Sequence, residues 1–230
     1  MMNWHMYKKL RTLFLSLVFI GIFGVVGYVM VIIGYLIFDP EALKPTVSYF
    51  APRFPIIIHA FFGGIALFVG VFQLLRKFRE KFPKLNLIFR KIYYTSVTIS
   101  GVFGFFVALY AQGGLVNKIG FGMLALLWLY SISRAMRADA LGDMATFRVW
   151  IVRNYALTLA AVTLRLYIPI IWSFYGFNPE AFSTMYATLG FLCWVPNVVF
   201  VEWFYLNKTK LAVVTESKSP KVSSTSLDNS

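Results

Sequence analysis

Long apolar runs alternate with short clusters of charged residues along this chain. Six of the runs are long enough to cross a bilayer, which takes about 20 apolar residues. They occupy residues 12–38, 54–75, 91–111, 115–136, 149–175 and 181–206. This pattern predicts an all-α integral membrane bundle of six transmembrane helices. The helices form one domain at 12–206, between a cytoplasmic N-tail at 1–11 and a disordered polar cytoplasmic tail at 207–230.

The composition supports the membrane class. Hydrophobic residues make up 59% of the 230 residues and charged residues 13%, and the mean hydropathy is +0.71. Soluble domains carry roughly 25% charged residues. The net charge of +13 arises mainly from connections between the spans, so we attribute it to the positive-inside effect rather than to nucleic-acid binding. Membrane lipids are therefore the expected surroundings, and no nucleic-acid partner is expected.

The distribution of lysine and arginine predicts the orientation. Most of them lie in the N-tail, in the connection 76–91, around 134–153 and in the C-tail. The other side of the predicted membrane carries only Lys44, Arg53 and Lys118. Both termini should therefore be cytoplasmic, in a cell inner membrane that the chain crosses several times.

A stripe of small and polar residues follows the second span. His59, Gly63, Ala66, Gly70 and Gln73 recur at helical spacing, with a polar group at each end and only small side chains between. Such a stripe faces either a closely packed helix or a molecule bound between helices.

Ionisable groups at membrane depth are costly, so each is a candidate functional residue. Arg165 and His59 both fall in the outer half. Arg165 keeps its charge, so it needs carbonyls, hydroxyls such as those of Tyr110 or Tyr186, a loop carboxylate or an anionic ligand. The inner half holds a second group, which comprises Gln73, Trp150, Arg153, Asn154, Asn197 and Glu202.

Two local structures are predicted within the inner group. Arg153 and Glu202 should lie at equal depth, so an ion pair between them is expected. Pro196 should kink the sixth span, and Asn197 can supply hydrogen bonds to the carbonyls that the proline leaves without a donor.

The chain offers little for cofactor or catalytic chemistry. Haem b needs two axial ligands; His59 could combine with Met30, Met123 or Met185, but the second histidine, His5, is in the N-tail. The single cysteine, Cys193, should be a buried apolar side chain. No HExxH motif or phosphate-binding loop is present, so no metal site and no other cofactor is expected. The sequence leaves open whether the protein is an enzyme and favours one that is not.

Three segments carry a family resemblance: GDMATFRVWIVRNYALTLAAVTLRLYIPI (142–170), AQGGLVNKIGFGMLALLWL (111–129) and FLCWVPNVVFVEW (191–203). They resemble a bacterial family of multi-pass membrane proteins known as domain of unknown function 2306, over roughly residues 54–206. The resemblance implies no biochemical activity. The motif residues that it carries over are His59, Gln73, Gly113, Gly114, Asp143, Arg148, Trp150, Arg153, Tyr155, Arg165, Trp194, Asn197 and Glu202.

The chain departs from the family pattern at two positions. The resemblance implies a His-Arg pair at the start of the third span and another at the start of the fifth. This chain has Phe89-Arg90 and Phe147-Arg148 there. If the histidines of relatives hold a haem or a metal, this chain lacks those ligands, and an apolar contact replaces the polar site.

Three functions remain open from the sequence. The leading hypothesis is that the chain binds or transports a small amphiphilic or lipid-like molecule between its helices. The alternatives are a b-type haem electron carrier with His59 as a ligand and a structural subunit that docks through the basic connection 76–91. The candidate ligand-binding residues are His59, Gln73, Arg153, Tyr155, Arg165, Trp194, Asn197 and Glu202; no catalytic residue is predicted.

Overall fold

The computed structural model describes residues 53–175 and 179–206, together with Gly24 and Gly27. Every element in this part of the chain is helical, which confirms the all-α prediction. The predicted first span at 12–38 and both predicted tails, 1–11 and 207–230, lie outside the described residues. The six-helix count and the cytoplasmic termini therefore remain predictions.

The first described helices form an antiparallel pair with a short helix between them. Helix α1 is Arg53–Leu74, α2 is Arg76–Lys81, and α3 is Pro83–Ala108. The predicted connection 76–91 is therefore mostly helical, and the predicted third span begins eight residues earlier than its apolar run. Pro83 explains this start, because proline fits the first turn of a helix, where its missing N–H costs nothing.

Helix α4, Gly114–Ala140, follows a tight turn at Gly113 and Gly114. Both glycines have positive φ angles, 85° and 78°, a backbone conformation that side chains with a Cβ rarely adopt. Two residues of the family motif are thus explained by backbone geometry.

The predicted fifth span is not one continuous helix. Helix α5, Met144–Thr158, ends and α6, Ala160–Tyr175, begins around Leu159. Thr158 donates its hydroxyl to the carbonyl of Asn154 at 3.0 Å, a bond within one helix turn that bends helices. Neither proline nor glycine occurs near Leu159, so neither of the usual helix-breaking residues indicates this interruption.

The predicted sixth span is also interrupted. Helix α7, Pro179–Leu192, stops before Cys193, and α8, Val195–Phe200, is followed by a π-helical turn at Val201–Leu206. The predicted kink of the sixth span is confirmed. The bend itself lies at Cys193 and Trp194, and Pro196 lies in the first turn of the helix that follows.

Three described helical segments are long and apolar enough to cross a membrane: Phe54–Leu74, Gly114–Ala140 and Met144–Ile168. The last of these runs through the interruption at Leu159. The protein is therefore a membrane protein with several apolar helices.

The helices approach closely where glycines meet. Helix α1 packs along α3, and α4 packs against α3, α5 and α7. A Cβ added to Gly120 of α4 would lie 2.6 Å from the carbonyl carbon of Gly190 of α7, so only glycine fits at this crossing. Cys193 is buried nearby with 1% of its surface exposed, as predicted for an apolar side chain.

Candidate functional site

The small-residue stripe on α1 is a packing face. His59, at its start, bonds through Nδ1 to the carbonyl of Ser100 on α3 at 2.9 Å. A Cβ on Gly104 would lie 2.7 Å from the same nitrogen, and Gly70, at the other end, packs against the rings of Tyr93 and Tyr155. The stripe therefore packs α1 against α3 and α5. Of the two predicted alternatives, it faces closely packed helices rather than a bound molecule.

The bond to Ser100 selects the tautomer of the neutral His59 ring. A carbonyl oxygen only accepts hydrogen bonds, so Nδ1 carries the hydrogen and Nε2 of the neutral ring is an acceptor. Ser100 adds a second link, because its hydroxyl donates to the carbonyl of His59 at 2.8 Å. His59 is thus held through both its ring and its main-chain carbonyl, and in this tautomer Nε2 is a hydrogen-bond acceptor.

Arg165 lies on α6, beyond the interruption. Its Nη1 donates to the carbonyl of Ala161, one turn back on the same helix, at 2.9 Å. A main-chain carbonyl was among its predicted partners. The guanidinium also lies within electrostatic range of His59. His59 of α1 and Arg165 of α6 therefore lie in the same region of the structure.

Tyr155 and Gln73 mark the opposite end of the α1 stripe. Tyr155 is 2% exposed, and its hydroxyl donates to the carbonyl of Leu67 at 3.0 Å. Gln73 is 1% exposed, and neither atom of its side-chain amide has a hydrogen-bond partner among the described residues. Its main-chain carbonyl, in the last turn of α1, accepts a hydrogen bond from Nη1 of Arg79 at 2.7 Å.

A buried polar network that the sequence did not predict joins α3, α4 and α5. Tyr93 donates to Oδ1 of Asn154 at 2.6 Å, and Trp128 donates to Oγ1 of Thr158 at 2.9 Å. The amide nitrogen of Asn154 donates to the hydroxyl of Ser131 at 2.8 Å. Because each side chain in this network is bonded, the network positions α5 rigidly up to the interruption at Leu159.

Asn197 connects the two interrupted helices. Its Nδ2 donates to Oγ1 of Thr163 at 3.0 Å and to the carbonyl of Cys193 at 3.1 Å. The same nitrogen lies 3.4 Å from the carbonyl of Ala156, just before the α5–α6 interruption. We call this set, Asn197 with Thr163, Ala156 and Cys193, the Asn197 junction. The predicted role of Asn197 as a donor to main-chain carbonyls at the kink is confirmed.

Trp194 lies beside the Asn197 junction and is 7% exposed. Its indole Nε1 donates to the carbonyl of Gly190 at 2.7 Å, within the same interrupted helix. The bond occupies the only hydrogen-bond donor of the indole. Trp194 therefore supports the bend of the chain between α7 and α8.

Arg153 and Glu202 form the predicted ion pair. Arg153 bonds to both carboxylate oxygens, with Nη2 at 3.0 Å from Oε2. Glu202 lies in the π-helical turn, and the guanidinium of Arg153 covers the ring of Trp150 at 4.7 Å from the ring centroid. The pair links α5 to the last described turn of the chain.

Phe89 and Phe147, where the resemblance implies histidines, contact neighbouring side chains through their rings. Phe89 stacks on Phe78 with 5.6 Å between ring centroids and meets Phe72 edge-on at 5.3 Å. Phe147 lies under the guanidinium of Arg90, 5.3 Å from the ring centroid. Arg90 in turn pairs with Asp139, which also accepts from Tyr94 at 3.0 Å. No group of three or more metal-ligating side chains occurs in the described part of the chain.

The candidate residues therefore fall into separate groups rather than one. His59 and Arg165 share a region, Arg153 and Glu202 are paired, and Asn197 and Trp194 hold the interrupted helix. No sequence pattern identified four further residues of the polar network and the Asn197 junction: Tyr93, Trp128, Ser131 and Thr163. Helical spacing places Thr158 and Asn154 on one face, but their partners lie on other helices, and no periodicity identifies them.

Comparisons with known proteins agree with this membrane fold. A family model described as "Predicted membrane protein (DUF2306)" matches residues 56–205, which is more than half of the chain. No curated protein and no solved structure matches the chain. The match includes every candidate residue discussed above. The chain belongs to the predicted membrane protein family of domain of unknown function 2306.

Proposed function

We propose that this protein binds a small amphiphilic molecule between its helices and allows it to move across or within the membrane. The apolar part would lie among the helices beside α6, and the polar end would meet Arg165 and His59. The observation that carries the proposal is the pair of interrupted helices connected by the Asn197 junction.

Interrupted helices support a binding or transport role for a physical reason. A break in a membrane helix exposes polar main-chain groups, and these are tolerated only where protein or an aqueous cavity covers them. Transporters use such broken helices near the middle of the bilayer to bind their substrates. Here Leu159 and the Cys193–Trp194 bend lie side by side, because Asn197 contacts the chain on both sides of Leu159.

The position of Arg165 suits a polar headgroup. It lies six residues beyond Leu159, or about 9 Å along the helix at ~1.5 Å per residue. Helix α6 packs mainly against α7 among the described helices, so its other faces are available to a ligand or to the segments outside the description. A guanidinium binds carboxylate or phosphate oxygens, and Nε2 of His59 accepts from a hydroxyl or an amine. These preferences favour a ligand that has an anionic group and a nearby donor.

A photoactivatable fatty acid tests the location. We would reconstitute the full chain in neutral phosphatidylcholine nanodiscs, irradiate it with a diazirine derivative of dodecanoate and map the labelled peptides. Labelling on α1 and α6 that unlabelled dodecanoate suppresses is the expected result. Arg165→Gln should lose this labelling, whereas Arg137→Gln, an exposed arginine of α4, should retain it. Equal labelling of both variants would exclude Arg165 as the headgroup residue.

The His59 ring favours one second candidate. Histidines that bind iron commonly donate their other ring nitrogen to a carbonyl, as His59 does. Met123 is 42% exposed on α4, and the side chains of Met30 and Met185 are outside the description. A reduced-minus-oxidised absorption spectrum of the protein, expressed with haem precursor, separates the two candidates. An α-band that is stoichiometric with protein and absent in His59→Ala would replace amphiphile binding by electron transfer.

We further propose six spans with both termini cytoplasmic in a bacterial inner membrane. The basic residues between the spans support this orientation. A C-terminal green fluorescent protein fusion should fluoresce, and a C-terminal alkaline phosphatase fusion should be inactive. The reverse pattern would place the C-terminus outside the cytoplasm.

A further inference from the structure

The segment between α1 and α3 presents basic side chains beside exposed apolar ones. We call residues 75–91 the basic elbow. It contains Glu80 as its only acidic residue, and its basic residues are Arg76, Lys77, Arg79, Lys81, Lys84, Arg90 and Lys91. The elbow directly follows the apolar helix Phe54–Leu74, so it lies where that helix leaves the hydrocarbon. This surface is distinct from the region of His59 and Arg165.

We propose that the basic elbow is a binding surface for the headgroup of an anionic phospholipid. The occupant we infer is a lipid of the same membrane, whose acyl chains pack beside the elbow while its phosphate meets Lys77, Lys81 and Lys84. The proposal stands whether or not an amphiphile binds near Arg165.

The elbow is held in one shape. Arg79 donates to the main-chain carbonyl of Gln73 at 2.7 Å, and Phe78 stacks on Phe89 of α3. These contacts fix α2 against the ends of α1 and α3. A headgroup would therefore meet an ordered surface, which reduces the entropy lost on binding.

The lysines lack anionic partners in the described part of the chain. Arg76 pairs with Glu80 at 2.7 Å, and this bond lowers the pKa of the Glu80 carboxyl, so the one acidic group stays ionised and occupied. Lys77 and Lys81 are exposed one helix turn apart, where like charges repel unless an anion lies between them. Arg148, from the start of α5, lies within electrostatic range of Glu80 and adds to the positive field.

Exposed apolar side chains beside the lysines select a lipid over a soluble anion. Phe82, Leu85 and Ile88 are 45%, 40% and 53% exposed, and Lys81 places its ammonium 5.3 Å from the centroid of the Phe82 ring. A free phosphate would use only the lysines. Acyl chains would also cover these three apolar side chains, and clusters of Lys and Arg next to a membrane helix are typical of sites for anionic lipids.

Native mass spectrometry of the full chain in neutral detergent tests the proposal. Dioleoyl phosphatidylglycerol should bind more tightly than dioleoyl phosphatidylcholine, and inorganic phosphate should weaken its binding no more than sodium chloride does at the same ionic strength. The triple variant Lys77→Gln, Lys81→Gln, Lys84→Gln should bind phosphatidylglycerol more weakly by about fivefold per lysine, on the order of 100-fold in total. The control Lys208→Gln, Lys210→Gln, Lys218→Gln, which makes the same change in net charge, should bind like the unmodified chain.

Several outcomes would overturn the lipid assignment. Equal affinity of the unmodified chain for the two lipids would remove the anionic preference. Unchanged binding in the elbow variant, or an equal loss in the tail control, would remove the elbow as its location. A larger effect of phosphate than of sodium chloride at equal ionic strength would leave only an anion site. A measurement that needs no variant is the salt dependence: sodium chloride should weaken phosphatidylglycerol binding to the unmodified chain, and salt-independent binding would contradict the proposal.

Discussion

The amide nitrogen of Asn197 lies 3.0 Å from the hydroxyl of Thr163, and this bond crosses between two helices that are both interrupted at that level. Asn197 donates to the carbonyl of Cys193 on its own chain segment and lies 3.4 Å from the carbonyl of Ala156 on the other. One side chain therefore stabilises both breaks. The outer segments α6 and α7 are linked to the inner segments at this junction.

A double-mutant cycle measures that link. Asn197→Ala and Thr163→Val should each destabilise the protein, and the double variant should be destabilised by less than the sum. The expected coupling is about 0.6–1.7 kcal/mol, the range of hydrogen bonds between membrane helices. Reversible unfolding in mixed micelles provides the free energies, and additive effects would show that the two side chains do not interact.

The crossing of α4 and α7 should discriminate between two glycines that lie two residues apart. Gly120→Ala places a methyl group against the backbone of Gly190, which cannot rotate away, so we expect a loss of about 1–3 kcal/mol. Gly122→Ala meets only the ring of Phe105 at 3.9 Å, an ordinary contact, and should leave the thermal midpoint unchanged or slightly raised. Equal midpoints for the two variants would refute this packing.

Removing one partner of the Arg153–Glu202 ion pair should destabilise the protein more than removing both partners. Arg153→Gln leaves the partly buried Glu202 carboxylate without the Arg153 charge, whereas Arg153→Gln with Glu202→Gln leaves two neutral amides. The Glu202 side chain is 39% exposed, so solvent screening limits the expected difference to about 1 kcal/mol. Chemical unfolding of the three proteins checks the order, and a double variant less stable than the single one would contradict it.

Acid should loosen the start of α5 through its capping residue. The bonds from Thr146 lower the pKa of the Asp143 carboxyl below its usual 3.8, and the Thr146 amide lies 3.0 Å from Oδ1. Because the folded-state pKa is the lower one, the ionised cap stabilises fully above the unfolded value and is lost as the pH falls through the folded value. Hydrogen exchange at Thr146 should accelerate below about pH 4 in the unmodified chain, after correction for intrinsic rates.

The matching control is Asp143→Asn, which keeps an amide cap that does not titrate. Its corrected exchange at Thr146 should not change over the same pH range. A parallel acceleration in both proteins would assign the effect to another group.

The sequence predicted the features that follow from the length of each apolar run and from the depth of residues within it. The helix α1 ends within one residue of its apolar run, and the Arg153–Glu202 pair followed from equal depth in two antiparallel spans. The interruption at Leu159 could not be predicted, because ordinary helix formers surround it and its support comes from Asn197 on another helix. The network of Tyr93 and Trp128 depends on how three helices are aligned, which no single segment encodes.

The position of Arg165 was only partly predictable. On a continuous helix, the spacing of Asn154, Thr158 and Arg165 would place all three on one face. The break at Leu159 separates them: Asn154 and Thr158 belong to a closed polar network, and Arg165 lies beyond the break, within electrostatic range of His59. The proposed binding role of Arg165 depends on its separation from Asn154 and Thr158, and no sequence pattern indicated that separation.

Thermal unfolding with dodecanoate is the decisive experiment for amphiphile binding. We would titrate the full chain in neutral detergent and compare dodecanoate with its methyl ester, which has the same apolar chain and no charge. Dodecanoate at 100 times its dissociation constant should stabilise the unmodified protein and Arg137→Gln by about 2.7 kcal/mol, with a smaller effect from the ester. Arg165→Gln should lose the advantage of the acid over the ester. An equal advantage in Arg165→Gln, or none in the unmodified chain, would contradict the proposed site.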